Sequence, residues 1–254
     1  MHNFADILNP GNWGALLGSG WGGVGQPEFW LSLAKIMWIN ILLSGDNAVV
    51  IAMACRGLPV RQRAWGMGLG AGVAVLLRIL FTGIVATLMT LPFLKIVGGL
   101  ALFYVAVKLL VPEEPDKDER EATEHLWRAV QIVAVADIIM SLDNVIAIAA
   151  AAGGNAALLV LGLALSIPLI VAGAALIMAA LDRFPILVWG GAALLGWIVG
   201  EVIATDPVVL GWLDSQFGPS TVHAAEYVAA GIGAVLVLIV GGLWRRSKPE
   251  SGYV

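Results

Sequence analysis

Apolar residues run along the chain in long continuous stretches, and polar positions gather in the short gaps between them. Seven stretches stand out, near residues 29–54, 64–90, 93–111, 127–152, 156–180, 185–204 and 224–244. A helix needs about 20 apolar residues to cross about 30 Å of hydrocarbon, and each stretch has that length or comes close to it. The stretches are rich in Leu and Ala and show no sustained alternation of apolar and polar positions, so the strands of a membrane barrel are excluded. The pattern predicts an all-α polytopic membrane protein with seven transmembrane helices.

Composition agrees: 59% of the 254 residues are hydrophobic and 13% charged, more apolar surface than a soluble core could bury. The basic residues Arg56, Arg61, Arg63, Lys117, Arg120, Arg128, Arg183, Arg245, Arg246 and Lys248 all fall on one side of the predicted spans. The positive-inside rule makes that side cytoplasmic, with the N terminus outside and the C terminus inside. Seven acids between Glu113 and Glu124 mark residues 112–126 as a solvated cytoplasmic loop and argue against a nucleic-acid partner. Residues 1–27 contain no Lys or Arg and are broken by Pro10 and Pro27, so they read as an extracytoplasmic interfacial segment anchored by Trp13 and Trp21 rather than a cleaved signal. Residues 205–223 read as an outer loop, and 224–254 as the seventh helix and a cytoplasmic tail.

The chain also repeats itself. NILLSGDNAVVIA at 40–52 aligns with DIIMSLDNVIAIA at 137–149, an offset of 97 that pairs Asn40 with Asp137, Ser44 with Ser141, Asp46 with Asp143 and Asn47 with Asn144. After a small change of register LPFLKIVGGLAL from Leu91 matches FPILVWGGAALL from Phe184, pairing Pro92 with Pro185, Gly98 with Gly191 and Lys108 with Glu201. Three spans separate the copies, so the matched helices cross in opposite directions. This predicts two inverted three-helix repeats, residues 28–111 and 127–204, the arrangement of many secondary transporters. The seventh helix lies outside the repeat, as a packing or homo-oligomer element.

The repeated segments carry the chemistry. Asn40, Ser44 and Asn47 stand at i, i+4 and i+7 and share one helix stripe, repeated by Asp137, Ser141 and Asn144. An Asp mid-membrane costs roughly 2.5–3.5 kcal/mol on insertion scales, so Asp46, Asp137 and Asp143 require a partner, an ion or water. Carboxylate, amide and hydroxyl oxygens, with backbone carbonyls released near Gly45, suit a hard divalent cation. Protonated aspartates acting as structural glue between helices are the competing reading. Arg78, mid-span, is predicted to pair with one of these acids or with Glu201, as a structural ion pair or a gate. Lys35, Lys95 and Lys108 have stems long enough to snorkel to the interface. Met140 shares the polar stripe, although methionines in apolar helices mostly pack. Glycines at 66, 68, 70 and 72, and Gly98 and Gly191, are read as sites of close helix approach.

Soft-metal chemistry has no support: Cys55 is the single cysteine, and His2, His125 and His223 lie outside the spans. No GxxxxGK[ST] is present, so an ion gradient rather than ATP is the expected driving force. A catalytic dyad of Asp46 and Asp143 would need the GxGD signature of intramembrane aspartyl proteases, and Leu43 to Asp46 read LSGD, so no enzyme activity is expected.

LLSGDNAVVIA and IIMSLDNVIAIA, with the Arg-rich loop after the first span and the GWIVGEVIATDP stretch, resemble the signature segments of the TerC family of integral membrane proteins, in its YjbE-like branch, over residues 29–205. The resemblance implies a bacterial inner-membrane exporter of manganese, in a family associated with tellurite resistance and related to LysE-type exporters. Carried over by position, it makes Asp46, Asn47, Asp143 and Asn144 the metal-binding residues, with Mn²⁺ as transported substrate and no cofactor. An amino-acid exporter of the LysE type, for which Arg78 is the central candidate anchor, and a membrane scaffold in metal or tellurite stress resistance are the alternatives.

Overall fold

A computed structural model of the protein describes residues 24–82, 88, 91–111, 119–153, 155–217 and 222–247. Among the described residues all regular structure is helical: α1 (Pro27–Leu42), α2 (Gly45–Cys55), α3 (Val60–Thr82), α4 (Leu94–Leu110), α5 (Glu119–Ala151), α6 (Ala156–Arg183), α7 (Ile186–Ala204), α8 (Pro207–Phe217) and α9 (Val222–Ser247). Residues 1–23, the first part of the expected acidic loop (112–118) and the tail (248–254) lie outside the described residues, and the rest of that loop, from Glu119, is not loop but the first turns of α5.

Length and composition make α3, α6, α7 and α9 each able to cross a membrane, and α1 with α2 pass the same test together as one span bent by 55°. The outside of the bundle is apolar as well: Leu76, Leu100, Leu176, Ile186 and Val235 all stand exposed. A soluble monomer rarely presents so much contiguous apolar surface, whereas a bundle solvated by lipid does. The protein is an all-α integral membrane protein.

The bend in the first span has a local cause. It falls at Leu43–Ser44, immediately before Gly45, and a Ser-Gly pair is a recurrent kink site because glycine gains little from helical geometry. In the second copy the matching residues are Ser141 and Leu142, and α5 runs unbroken for 33 residues.

The helices pack across the two halves of the sequence more than within them. α3 lies on α5 and α6, α6 on α1 and α2, α2 on α5, and α4 on α7. Gly70 of α3 sits against Val133 of α5, and Gly162 of α6 against Ile36 of α1. Ile36 and Val133 are separated by the same 97 residues as Asn40 and Asp137. Of the glycines read as approach points, Gly66, Gly70, Gly98 and Gly191 face a neighbour closely, while Gly68 and Gly72 face open space.

Two further features depart from the sequence expectations. Residues 207–217, expected in a loop, form α8, because Asp206 caps it through a 3.0 Å bond from the Val208 amide and Pro207 occupies its first turn. Asp206 is fully buried and also accepts from the amides of Phe93 (3.2 Å), Lys95 (3.2 Å) and Ile96 (3.4 Å), so one carboxylate caps α4 and α8 together. Phe93 is held there in the left-handed region at φ 66°. Lys95 consequently does not snorkel: it is buried, and its Nζ donates to Thr205 Oγ1 at 3.3 Å.

α9 packs chiefly on α7, and small residues make that crossing possible. A side chain at Gly196 would meet the Gly233 backbone oxygen at 2.6 Å, and one at Gly200 would run into the Ala229 backbone. Gly200→Leu is expected to cost about 1–3 kcal/mol by overpacking, whereas Gly211→Leu on α8, where nothing lies within 4 Å, should be neutral. Thermal unfolding of both variants in detergent checks this; equal melting temperatures would mean that the α7–α9 contact does not support the fold.

Candidate ion-binding site

The two polar stripes do face a common centre, and a guanidinium fills it. Arg78, near the C-terminal end of α3, donates through Nη2 to Asp137 Oδ1 at 2.6 Å and to Ser141 Oγ at 2.8 Å, both on α5. Its Nη1 donates to Asn40 Oδ1 at 2.5 Å at the C-terminal end of α1 and to Ser44 Oγ at 3.3 Å in the break before α2, and its Nε to Ser141 Oγ at 3.2 Å. Asn40 uses its Nδ2 to donate to Ser166 Oγ of α6, at 2.5 Å. Four helices are thus tied through one side chain. Asn40, Ser44, Arg78, Asp137, Ser141 and Ser166 are all buried.

Their positions follow from local structure. The i, i+4 spacing brings Asn40 and Ser44 to one side of Arg78 and Asp137 and Ser141 to the other. Ser166 joins because it lies one turn after Gly162 on the face of α6 that packs against α1. Its serine among Leu and Ala gave little to separate it from ordinary helix packing. The α1–α2 break adds a backbone oxygen: Leu43 O accepts from Asn144 Nδ2 of α5 at 3.0 Å. This is the carbonyl released near Gly45 that the sequence suggests.

Oxygen remains to spare. Asn47 is buried, yet neither its Oδ1 nor its Nδ2 has a hydrogen-bond partner among the described residues, and the same is true of Asp137 Oδ2. Asp46, half-buried one residue earlier, accepts the Asn47 amide on its Oδ1 at 2.8 Å. A cavity of about 10 Å³ lies between Ser44, Asn47, Arg78 and Asp137, with Val50, Ala71 and Ile170 among its apolar walls. A second, also about 10 Å³, is lined by Arg78, Asp137, Ser141 and Val145. Each is close to the minimum that holds one water, and the Arg78–Asp137 pair borders both.

Not every candidate residue joins the site. Glu201 is exposed on α7, and Arg78 pairs with Asp137 instead. Met140 packs in the apolar core. The side chain of Asp143 lies outside the described residues. Among the described residues no three His, Cys, Asp or Glu side chains converge. Among the described residues the centre is one buried ion pair surrounded by neutral oxygen donors, with the Asp46 carboxylate half-buried beside Asn47.

Residues 25–249 match the profile of the integral membrane protein TerC family. The chain belongs to the TerC family. The match runs past the 29–205 expected from the signature segments and takes in α8 and α9. The uncharacterized membrane protein YjbE of Bacillus subtilis is 43% identical over 181 residues, 71% of this chain and 83% of its own length. YceF, an uncharacterized membrane protein of the same organism, is 27% identical over 156 residues, 58% of each chain. The UPF0053 inner membrane protein YgdQ of Escherichia coli is 30% identical over 139 residues, 48% of this chain and 58% of its own. No solved structure matches. Both signature segments of this TerC-family chain thus contribute to the Arg78 centre, Asn40 and Ser44 from one copy and Asp137 and Ser141 from the other.

Removing one member of a buried pair strands the other charge, which typically costs about 3–5 kcal/mol, while replacing both by apolar groups is often neutral. Asp137→Asn and Arg78→Met should each lower stability by about that amount, and Arg78→Met with Asp137→Leu should recover most of it. Denaturation of the three variants in detergent measures this; a double variant no more stable than the singles would refute mutual neutralisation.

Proposed function

We propose that the chain is a secondary transporter that exports divalent metal cations from the cytoplasm, Mn²⁺ first among them, and that it is not an enzyme. The observation carrying this reading is that oxygens from both signature segments surround one buried positive charge, with Asp137 Oδ2 and the Asn47 amide still unpartnered beside it. Carboxylate, amide, hydroxyl and carbonyl oxygens are a hard-cation donor set. The metal's identity comes from the family resemblance and not from the donors.

In this reading α4 and α5 cross the membrane with the other spans, giving seven, and residues 28–111 and 127–204 are inverted repeats. The paired contacts Gly70–Val133 and Gly162–Ile36 support the repeat, since exchanging the halves maps one onto the other. The basic helix ends support a cytoplasmic C terminus, and the relatives a bacterial inner membrane.

Arg78 then acts as a tethered cation. It bonds Asp137, Asn40, Ser44 and Ser141 in the absence of substrate and borders both small cavities. A divalent ion bound by Asp46, Asn47, Asp143 and Asn144 competes electrostatically with the guanidinium for Asp137, so loading the site loosens the bonds that hold α1, α3 and α5 together. Protons compete at the same carboxylates, because an acid must lose its proton to ligate metal. An amino-acid exporter fits less well: the guanidinium that would anchor a substrate carboxylate is already committed to Asp137.

Metal-sensitive fluorescence in proteoliposomes tests the proposal. Mn²⁺ supplied on the side corresponding to the cytoplasm should enter saturably under an imposed proton or sodium gradient, more slowly as the loading side is acidified. Asp46→Asn with Asp143→Asn should abolish the flux. A scaffold would retain its stress-resistance role with both aspartates neutralised, and the absence of wild-type flux under every gradient would remove the transporter reading.

A further inference from the structure

Two opposite charges stand on the outside of the bundle, on helices apolar enough to lie in a membrane. Lys35 of α1 and Glu201 of α7 are both exposed, and neither has a hydrogen-bond or ion-pair partner among the described residues. Ionisable side chains in membrane helices almost always face the bundle interior or pair with one another, so a charge left on the lipid face asks for a partner.

Glu201 is deep. A side chain at Gly98 would meet Ile139 at 3.3 Å, and Ile139 lies between Asp137 and Ser141 on α5. A side chain at the adjoining Gly99 would meet Ile203 and the Val199 backbone oxygen of α7, which bracket Glu201. Glu201 is therefore near the depth of the Arg78 centre, on the exposed face of its helix. Lys35 stands five residues before Asn40, roughly 7.5 Å along α1 from the same centre. A lysine stem bridges an offset of that size and could also reach the headgroups. The two-methylene stem of Glu201 cannot.

Each charge belongs to an exposed stripe. Leu31, Lys35, Trp38 and Leu42 on α1 follow at steps of four, three and four, and all are exposed. On α7 the exposed Leu187, Gly190, Leu194, Trp197 and Glu201 follow at steps of three and four. That alternation keeps one face turned to a partner helix, the left-handed crossing most common among membrane helices. Gly190, with nothing within 4 Å, leaves room for close approach. The repeat does not carry the α1 stripe: the residues 97 positions after Lys35 and Trp38 are Ile132 and Val135. Within one copy α1 packs on α6 and α5, and α7 chiefly on α9 and α4, so the two stripes are not each other's neighbours.

We infer that the protein associates with a second copy of itself through these stripes, α1 of one copy against α7 of the other, with Lys35 of one paired to Glu201 of its partner. The pairing is independent of the transport proposed above. Energy transfer between donor- and acceptor-labelled copies of the full-length protein in liposomes, over a range of protein-to-lipid ratios, measures the association. Lys35→Glu and Glu201→Lys should each weaken it by roughly tenfold or more, because each sets like charges opposite one another in a medium of low dielectric. Combining the two reversals should restore it.

A second measurement keeps the test open if a reversal does not fold. Copies carrying Lys35→Cys are mixed with copies carrying Glu201→Cys and mildly oxidised, and peptide mass spectrometry should find the 35–201 disulfide between copies. Replacing Lys35→Cys by Leu76→Cys, exposed on α3, should give none. The native Cys55 is buried and does not compete. Monomeric wild-type protein at every ratio overturns the inference and leaves Lys35 to the headgroups. Association that neither reversal weakens, or cross-linking as strong from Leu76→Cys, overturns it as well.

Discussion

A guanidinium buried in a lipid-solvated bundle needs hydrogen-bond acceptors that hydrocarbon cannot supply, so the helices around it must supply oxygen. Arg78 is that group. Asn40 answers it from α1, Ser44 from the break between α1 and α2, and Asp137 and Ser141 from α5, and Asn40 extends the tie to Ser166 on α6. These bonds lie in a medium of low dielectric, where a satisfied network holds its geometry and a half-satisfied one is costly. The relative placement of four helices therefore depends on one side chain and the oxygens aimed at it.

The centre is built from repeated parts but is not symmetric. Gly45 in the first copy is replaced by Leu142 in the second, which leaves α1 and α2 broken and α5 continuous. Matching Gly70 to Gly162 by their contacts pairs Arg78 with Ile170, so two halves share one cation. Both differences matter to the proposed function. The break frees Leu43 O for Asn144, and the single arginine gives Asp137 a buried partner with which, in that proposal, an incoming cation would compete. A site with two arginines would repel a metal, and one with none would leave Asp137 uncompensated when empty.

Elsewhere the packing depends on small residues and on one buried acid. Gly196 and Gly200 let α9 approach the backbone of α7, and Asp206 collects the first amides of α4 and α8 at a chain crossing where Phe93 adopts a left-handed conformation. These joints lie away from the Arg78 centre and hold the outer helices while the inner network carries the charge.

Much of this was legible in the sequence by itself. Long apolar runs specify helices because a lipid-embedded backbone must satisfy itself within the segment, and the 97-residue repeat with its i, i+4 spacing announced that two polar stripes would face each other. Asp206-Pro207 is a readable start signal for α8 within a stretch that otherwise reads as outer loop. What a periodicity could not supply was partner choice. Arg78 had several acids within plausible reach, and three-dimensional packing selected Asp137 over Glu201, which points away from the centre on α7. Lys95 and Ser166 likewise acquired partners from helices more than 100 residues away. Local sequence determines which atoms need a partner, because burial and helix geometry are local; only the tertiary arrangement determines which partner arrives, because that depends on how distant helices cross.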